Sequence, residues 1–516
     1  MEAGASIRCC PSVKITDQQA FWQSVSRFAL PGGVYDSDIQ TRQQCAQPTE
    51  ALRVGPASST FPPDSGSAGD NDMKPVYLHL GCGDRKFPEF INIDLGGSGA
   101  DMHLDLTKAL PWQQGEVSGI YSEHFIEHIS QKDAIHLLHE CRRVLKPGGI
   151  LRLATPDLAN IVEQYNSNTV NPEWERFGMG WTANRCERLN MAVRWWGHQW
   201  MYDEEELSRL GEMVGLKVRA RCQIGQSADP IFQGREHRAS STLILEFEKP
   251  DRSALARQTP LVSIVTAAYK PRYLRQALES AVRQTYRNIE ILVCDDSAGT
   301  EIEEMVLSMQ REDGRIRYLR NPKPNFEYAR ENHRLCVREA KGDFIKFLND
   351  DDLLAPNCVE RLLDCFIRNP DVTLATSKRQ RIDAAGNYLA DISATQAPVP
   401  QDSVLDGLAV GNALISTRLN FVGEPTTALF RKSDLEKVGP DLASIDGQKM
   451  IGIFDVAIWL NLLTRGNMVY LVEPLSFFRV HGEQIQVVSR DFCNVGSTKG
   501  WDVIRYAWER LGFLRP

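Results

Sequence analysis

The chain is poor in the features that mark several large classes of protein. Its 516 residues include 12 cysteines, none in a Cys-x-x-Cys pair or at the spacing of a zinc-binding set. Cys9-Cys10 is the one close pair, and neighbouring cysteines rarely bridge, so reduced thiols in a cytosolic setting are expected. No run approaches the roughly 18 apolar residues of a membrane-crossing helix, which predicts no transmembrane segment. No basic start leads into an apolar core, which predicts no secretion signal. Basic charge is not in excess: 59 Lys and Arg stand against 67 Asp and Glu, a net charge of −8. A nucleic-acid partner held by bulk electrostatics is therefore not expected.

The rest of the composition is ordinary, with 42% hydrophobic and 24% charged residues. A chain of this length is expected to form two or more domains, each with its own core. Residues 1–72 carry little information. Phe21-Trp22 through Leu30 suits one short helix, and Cys45 to Asp72 is rich in Ser, Pro, Gly and Asp, as a disordered extension would be. Met73 opens directly onto the first expected strand, and residues 1–72 then read as an extension of the frame.

Val76-Tyr-Leu-His-Leu80 reads as a strand entering Gly81-Cys-Gly83, and Phe90-Ile-Asn-Ile93 as a second strand ending in Asp94. A glycine turn followed by an acid at the next strand tip is the pattern of a nucleoside-binding βαβ unit. Asp84 stands where a third glycine would be, and its charge would repel pyrophosphate, so a ligand with a ribose but no phosphate is favoured. Further on come Leu104-Asp105-Leu106 and a strand through Ile120-Tyr-Ser-Glu-His124 to Ile126-Glu-His128. A helix is expected from Ser130, capped with Asp133 at its third position. It buries Ile135, Leu138, Cys141 and Leu145 and stops at Pro147-Gly-Gly149. The strand Ile150-Leu-Arg-Leu153 follows.

Together, Leu-His-Leu-Gly-Cys-Gly, Ile-Asn-Ile-Asp, Ser-Glu-His-Phe-Ile-Glu-His and Arg-Val-Leu-Lys-Pro-Gly-Gly-Ile-Leu-Arg-Leu resemble the class I S-adenosylmethionine-dependent methyltransferases over about residues 75–248. The resemblance implies that Gly81 and Gly83 cradle the methionine part of the cofactor. It also implies that Asp94 holds the ribose and that Asp105 with Leu106 borders adenine. Methyl transfer needs an in-line nucleophile and a base. His124 or His128 is a candidate base, and each is equally well read as a structural histidine bonded to backbone. Trp174, Trp181, Trp195, Trp196 and Trp200 either cap an acceptor pocket or pack a core, and core packing is the expectation. Asp203 is expected to cap a helix with acids in its first turn.

Lys249 to Pro260 is polar and bounded by prolines, as an interdomain linker would be. A second pattern then begins. Strand Leu261-Val-Ser-Ile-Val265 runs into Thr266-Ala-Ala-Tyr269. A helix carries Leu274, Leu278, Ala281 and Val282, and strand Ile289–Cys294 ends in Asp295-Asp296-Ser297. There is no glycine-rich phosphate loop. A later strand, Phe344-Ile-Lys-Phe347, ends abruptly in Asn349, Asp350, Asp351 and Asp352. Adjacent acids repel one another, and a divalent cation with its preference for hard oxygen ligands relieves that repulsion.

Pro260-Leu-Val-Ser-Ile-Val-Thr-Ala-Ala-Tyr, Ala277-Leu-Glu-Ser-Ala-Val-Arg-Gln-Thr-Tyr, Ile291-Leu-Val-Cys-Asp-Asp-Ser and Phe347-Leu-Asn-Asp-Asp-Asp resemble the family 2 glycosyltransferases of the GT-A fold. The resemblance extends to about residue 490 through Thr427-Ala-Leu-Phe-Arg-Lys432 and Phe478-Arg-Val-His-Gly482. It implies that Thr266, Ala268 and Asp295 contact the nucleoside, with Asp296, Asp350, Arg330 and Asn332 also on the nucleotide-sugar. Asp351 would be the metal-binding second acid of an Asp-x-Asp motif whose first acid is replaced by Asn349, and His481 a further ligand to Mn²⁺ or Mg²⁺. Asp455, in Ile453-Phe-Asp-Val-Ala-Ile-Trp-Leu460, matches the acceptor base, with Phe454 in place of the usual Glu. The other reading of Asp455 is a helix cap.

The fold expected is therefore α/β, with two doubly wound domains. Residues 73–248 form a Rossmann-like methyltransferase, 249–259 a linker, and 260–516 a GT-A glycosyltransferase. The function expected is a bifunctional enzyme of bacterial surface polysaccharide assembly, using S-adenosylmethionine and a UDP- or dTDP-sugar. Its acceptor would be a glycan or lipid-linked glycan, met in the cytoplasm or at the inner membrane face through peripheral contact. The alternatives are a glycosyltransferase whose first domain only docks a partner, and a non-catalytic glycan-binding scaffold.

Overall fold

The computed structural model describes residues 74–170, 182–251, 259–321, 329–436, 442–450, 453–484 and 490–514. The expectations for residues 1–72, Trp174, Trp181, the side chain of Arg330 and most of the linker lie outside the described residues. Two α/β bodies follow one another along the chain.

In the first body, seven strands stand in the order β3-β2-β1-β4-β5-β7-β6. They are β1 (Tyr77–Leu80), β2 (Ile91–Asp94), β3 (Met102–His103), β4 (Val117–Glu123), β5 (Leu145–Thr155), β6 (Lys217–Arg221) and β7 (Leu243–Glu248). Only β7 is reversed, lying antiparallel to both β5 and β6. The chain leaves β1 toward β2 and β3, then returns to lay β4 on the other flank. The crevice outside the carboxyl ends of β1 and β4 is thus a topological switch point, where such sheets bind ligands. Leu78, Leu80, Ile93 and Ile120 are fully buried, which explains the near-continuous apolar runs of the parallel strands.

Among the described residues the helices of this body are α1 (Gln131–Val144), α2 (Leu158–Ser167), α3 (Arg185–Arg194) and α4 (Glu204–Met213). Ser130 caps α1 by accepting from the Asp133 amide, and Asp203 caps α4 by accepting from that of Glu206. One expectation is corrected. No helix joins β1 to β2, so the unit is not βαβ. Two glycines and Pro88 interrupt a connection too short for a helix and its turns. Phe87 and Phe90 fill the space instead, packing with Tyr121 and Phe232.

The second body is a nine-stranded mixed sheet, β10-β9-β8-β11-β15-β13-β18-β12, with β14 also paired to β18. Its parallel half is β8 (Val262–Ala268), β9 (Ile289–Asp295), β10 (Ile316–Arg320) and β11 (Phe344–Phe347). The other half holds β12 (Leu353–Leu354), β13 (Val372–Ile382), β14 (Ser403–Leu405), β15 (Leu429–Arg431) and the long β18 (Asn467–Arg479). A small hairpin, β16 (Ser444–Ile445) with β17 (Gln448–Lys449), stands apart. The helices are α5 (Leu274–Val282), α6 (Glu301–Glu312), α7 (Ala329–Glu339), α8 (Cys358–Arg368), α9 (Gly407–Thr417), α10 (Lys432–Glu436), α11 (Phe454–Leu463) and α12 (Arg490–Arg510). In α11 the buried Val456, Ile458, Trp459, Leu460 and Leu462 leave no polar stripe, so this helix is held inside the body on nearly all sides.

The bodies meet through buried polar groups. Asp371 accepts from Lys249 Nζ at 2.8 Å and Gln114 Nε2 at 2.6 Å. Asn467 donates to Gln114 at 2.6 Å, and Arg465 donates to the Glu212 carbonyl at 2.9 Å. Lys249, the first residue of the expected interdomain linker, is buried and also donates to the Leu145 carbonyl at 2.7 Å. A β-carbon on Gly215 would lie 2.7 Å from the Arg465 carbonyl oxygen, so only glycine fits that contact.

Candidate functional site

At the switch point of the first body, Gly81 and Gly83 have φ of +67° and +55°, the left-handed region that favours glycine. Among the described residues nothing lies within 4 Å of where a β-carbon on Gly83 would be, so that side of the turn is open to them. Asp94 at the tip of β2 accepts from the amides of Gly83 at 2.9 Å and of Gly96 and Gly97 at 3.0 Å each. Burial alone would raise its carboxyl, but these amides outweigh it and hold the group below the ordinary carboxylate range. Asp105 is exposed and accepts from Thr107, while Leu106 beside it is buried. Asp84, suspected of repelling phosphate, accepts from the Ser98 amide and hydroxyl and so closes the loop after β2 over the glycine turn.

The two candidate bases differ in setting. His124 follows β4 with φ +52°, which is uncommon for a residue with a β-carbon. Its Nδ1 lies 2.9 Å from Glu127 Oε1, and its Nε2 lies 3.3 Å from the Ser240 hydroxyl. Glu127 is fully buried and also accepts from Thr155 Oγ1 at 2.9 Å. A carboxylate fixing one ring nitrogen while the other meets a hydroxyl is how a base is oriented. His128 is partly exposed, and burial lowers its basicity below that of a free imidazole. Sequence reading missed Glu127 and Ser240: the carboxylate lies inside a quoted motif but is fixed by Thr155 of β5, and Ser240 reaches His124 from 116 residues along the chain.

The tryptophan expectation is corrected where it can be checked. Trp195, Trp196 and Trp200 are 59%, 40% and 41% exposed and form no core. They sit on the strand of chain that carries His198, whose ring meets that of His128 at a centroid distance of 4.8 Å.

In the second body, the acids gather at the carboxyl ends of β8, β9 and β11. Register places Ala268 beside Asp295. Asp295 is fully buried and accepts from Tyr318 Oη at 2.8 Å, Arg320 at 2.6 Å and the Ser297 amide at 2.8 Å. Asp296 accepts from Asn321 at 3.1 Å. Thr266 is buried, and its hydroxyl has no hydrogen-bond partner among the described residues. Asn332 is buried, and its amide donates to the Cys294 carbonyl at 2.8 Å, so that nitrogen ties α7 to β9.

Asp350, Asp351 and Asp352 diverge instead of crowding. Asp350 accepts from the amides of Tyr269 and Lys270 at 2.8 Å. Asp352 is buried and accepts from Thr426 Oγ1 at 2.7 Å, Asn349 Nδ2 at 3.0 Å and the Arg479 amide at 3.0 Å. Asp351 lies 3.0 Å from His481 Nε2. Burial, then the charge of Asp350, pushes the Asp351 carboxyl up to about 6. An imidazole and a carboxylate whose own charge is poorly compensated form a donor pair that suits a divalent ion. Asn349, which replaces the first acid of the motif, holds Asp352 and not the open side of the cluster.

Asp455 opens α11. Its Oδ2 accepts from Asn420 Nδ2 at 2.8 Å and its Oδ1 from the Val456 amide at 2.9 Å. Burial, with Glu424 adding repulsion, raises its carboxyl from 3.8 to about 7. A chain of short contacts joins it to the acidic cluster. Asn420 brackets Gly423, Glu424 precedes the turn Pro425–Thr427, and Thr426 bonds both Asp352 and the Asn349 amide. The indole of Trp459 donates to the Gly423 carbonyl at 3.1 Å and fixes that loop against the helix.

Comparison with known proteins divides the chain in the same way. The model of "Methyltransferase domain" matches residues 79–153, and that of "Glycosyl transferase family 2" matches residues 263–439. Chondroitin synthase of Escherichia coli is 29% identical over 140 residues, covering 27% of this chain and 20% of that protein. An uncharacterized glycosyltransferase of Methanocaldococcus jannaschii is 32% identical over 135 residues, covering 26% and 46%. Hyaluronan synthase of Pasteurella multocida is 27% identical over 143 residues, covering 28% and 14%. The chain thus spans less than half the length of these relatives. Among solved structures, S. aureus TarS in complex with UDP is 17% identical, with a TM-score of 0.32, over 46% of this chain and 64% of that one. The chain thus joins a region that matches the methyltransferase domain model, on the seven-stranded α/β sheet, to one that matches the family 2 glycosyl transferase model, on the nine-stranded mixed sheet.

Proposed function

We propose that this chain is a bifunctional enzyme of glycan biosynthesis that transfers a sugar from a nucleotide-sugar with inversion and methylates a glycan hydroxyl. The observation that carries the reading is Asp455, a carboxyl at a helix start raised to about 7 and linked by one loop to the acidic cluster. A general base works best when its pKa lies near the operating pH. Two of the relatives are named as synthases of chondroitin and hyaluronan, which supports a glycan as acceptor.

In the glycosyl half, Asp455 takes the proton of the acceptor hydroxyl as that oxygen attacks the anomeric carbon. Attack comes from the face opposite the departing nucleoside diphosphate, and one displacement inverts the centre. Asn420 keeps the Asp455 carboxylate aimed. Asp295, Asp296 and Thr266 line the nucleoside, expected to be that of a UDP- or dTDP-sugar. Asp351 and His481 would hold a divalent metal, Mn²⁺ or Mg²⁺, which when bound offsets the charge of the leaving diphosphate.

In the methyl half, the open space above Gly83 and the anionic Asp94 fit S-adenosylmethionine, which when bound supplies an electrophilic methyl group. Asp94 keeps a lone pair on Oδ2 for a ribose hydroxyl. His124, oriented by Glu127, takes the acceptor's proton. One observation favours the docking alternative for this half. Amides of the glycine turn and of the loop after β2 already engage both oxygens of Asp94, and a β-carbon on Gly97 would touch the Gly83 carbonyl, so the ribose side of the turn is narrow.

Thermal-shift titration tests both halves together. UDP, dTDP, GDP and CDP are each added with and without Mn²⁺, and S-adenosylhomocysteine separately. A ligand at a hundred times its Kd adds about 2.7 kcal/mol to the state that binds it. A metal-dependent shift with one nucleotide and an independent shift with S-adenosylhomocysteine are expected. A nucleotide shift alone would turn the first domain into a docking module, and no shift with any nucleotide would leave the scaffold reading.

A further inference from the structure

We propose that Glu127, His128 and His198 form a binding site for a divalent transition-metal ion of the zinc class, in the methyltransferase domain and separate from Asp351 and His481. The sequence hides this site. Glu127 and His128 leave the tip of β4, whereas His198 arrives 70 residues later on the tryptophan-rich segment.

Backbone bonds bring the two pieces together. The Gln199 amide donates to the Glu127 carbonyl at 2.7 Å, and Gln199 Nε2 donates to the His128 carbonyl at 2.7 Å. This seats the two imidazoles edge to face, 4.8 Å apart and inclined at 74°. One donor atom from each member of the trio lies within 4.8 Å of the others. Metal–ligand bonds of about 2.0–2.1 Å place tetrahedral ligand atoms about 3.4 Å apart, so rotation of two partly exposed rings closes the set.

The surroundings are those of ligands. His198 Nδ1 lies 2.8 Å from the Ala192 carbonyl, so it carries the hydrogen and leaves Nε2 as the free lone pair. Such an outer hydrogen bond to a carbonyl is how ligating histidines are oriented. Glu127 is fixed by Thr155 Oγ1 at 2.9 Å and His124 Nδ1 at 2.9 Å, with His128 Nε2 at 3.9 Å from its Oε1. Two imidazoles and one carboxylate select zinc, cobalt or nickel over magnesium or calcium. Three protein ligands would leave a fourth position of such an ion for water or an acceptor hydroxyl.

The test needs no methyl-transfer assay, so it stands whether or not that domain turns over. Full-length protein carrying Asp351→Ala and His481→Ala, which removes the other candidate site, is stripped with chelator and titrated with Zn²⁺ and with Co²⁺. One ion per chain is expected, with a visible cobalt absorption band, and His128→Ala or His198→Ala is expected to weaken binding at least tenfold. Unchanged affinity in both variants, or no ion retained by the parent, overturns the proposal. Independently of variants, Zn²⁺ is expected to protect His128 and His198 of the unaltered chain from diethyl pyrocarbonate, read by peptide mass. Equal modification with and without zinc overturns it as well.

Discussion

Replacing Asp455 by Asn separates chemistry from stability in the glycosyltransferase domain. The carboxyl moves from 3.8 to about 7 because it is buried and faces Glu424. At about 1.4 kcal/mol per pH unit, that displacement corresponds to roughly 4 kcal/mol, an upper figure for a group with some solvent access. The sign follows from linkage. A carboxyl raised in the folded state contributes stability below its unfolded pKa and loses it as pH rises through about 7. At pH 8 the native protein therefore carries an ionised Asp455 at a cost, whereas Asn keeps the shape without the charge. Asp455→Asn is expected to melt a few degrees higher than the parent at pH 8, with the gap narrowing through pH 5 and closing only near pH 3, below the unfolded value. Sugar transfer is expected to fall by about 10²–10⁴, the usual worth of a general base. In the parent, kcat/KM is expected to rise with pH along a limb centred near 7. A limb centred near 4, or a variant that keeps more than a tenth of the activity, would refute the assignment. So would a lower melting point at pH 8.

Three further outcomes are expected. Asp351→Ala is expected to abolish Mn²⁺-dependent binding of the donor nucleotide, and a normal calorimetric titration of that variant would refute its role as a ligand. Asp94→Ala removes the acceptor that three loop amides share, and is expected to eliminate the thermal shift with S-adenosylhomocysteine while leaving the nucleotide shift intact. Asp371→Ala leaves Lys249 buried without its counter-charge. Breaking such a pair costs about 3–5 kcal/mol, and a fall in denaturation midpoint across both domains is expected. Although burial alone would raise Asp371, Lys249 and Arg142 outweigh it and hold its carboxyl low. The stability it adds is thus present above about pH 4 and lost as pH falls through its folded value; an unchanged midpoint would show the interface to be dispensable.

Local patterns in the sequence determined a good deal of this protein. Apolar runs ending in acids gave the parallel strands and placed Gly83, Asp94, Asp295 and Asp351 at their carboxyl tips, because strand periodicity and turn chemistry act over a few residues. Ser130 and Asp203 announced their helices for the same reason, each satisfying an amide three residues ahead. The tertiary structure decided what depends on distant groups. Whether β1 and β2 are joined by a helix turned on Phe87 and Phe90 finding Tyr121 and Phe232. The fate of the three adjacent acids turned on the amides after β8, Thr426 and His481, which draw Asp350, Asp352 and Asp351 to separate partners. Lys249 reads as linker until Asp371, 122 residues away, neutralises it in the interface. His198 is one more histidine among exposed tryptophans until Gln199 ties it to Glu127 and His128. A charge or a lone pair acquires its role from what faces it, and sequence fixes only what lies within a few residues along the chain.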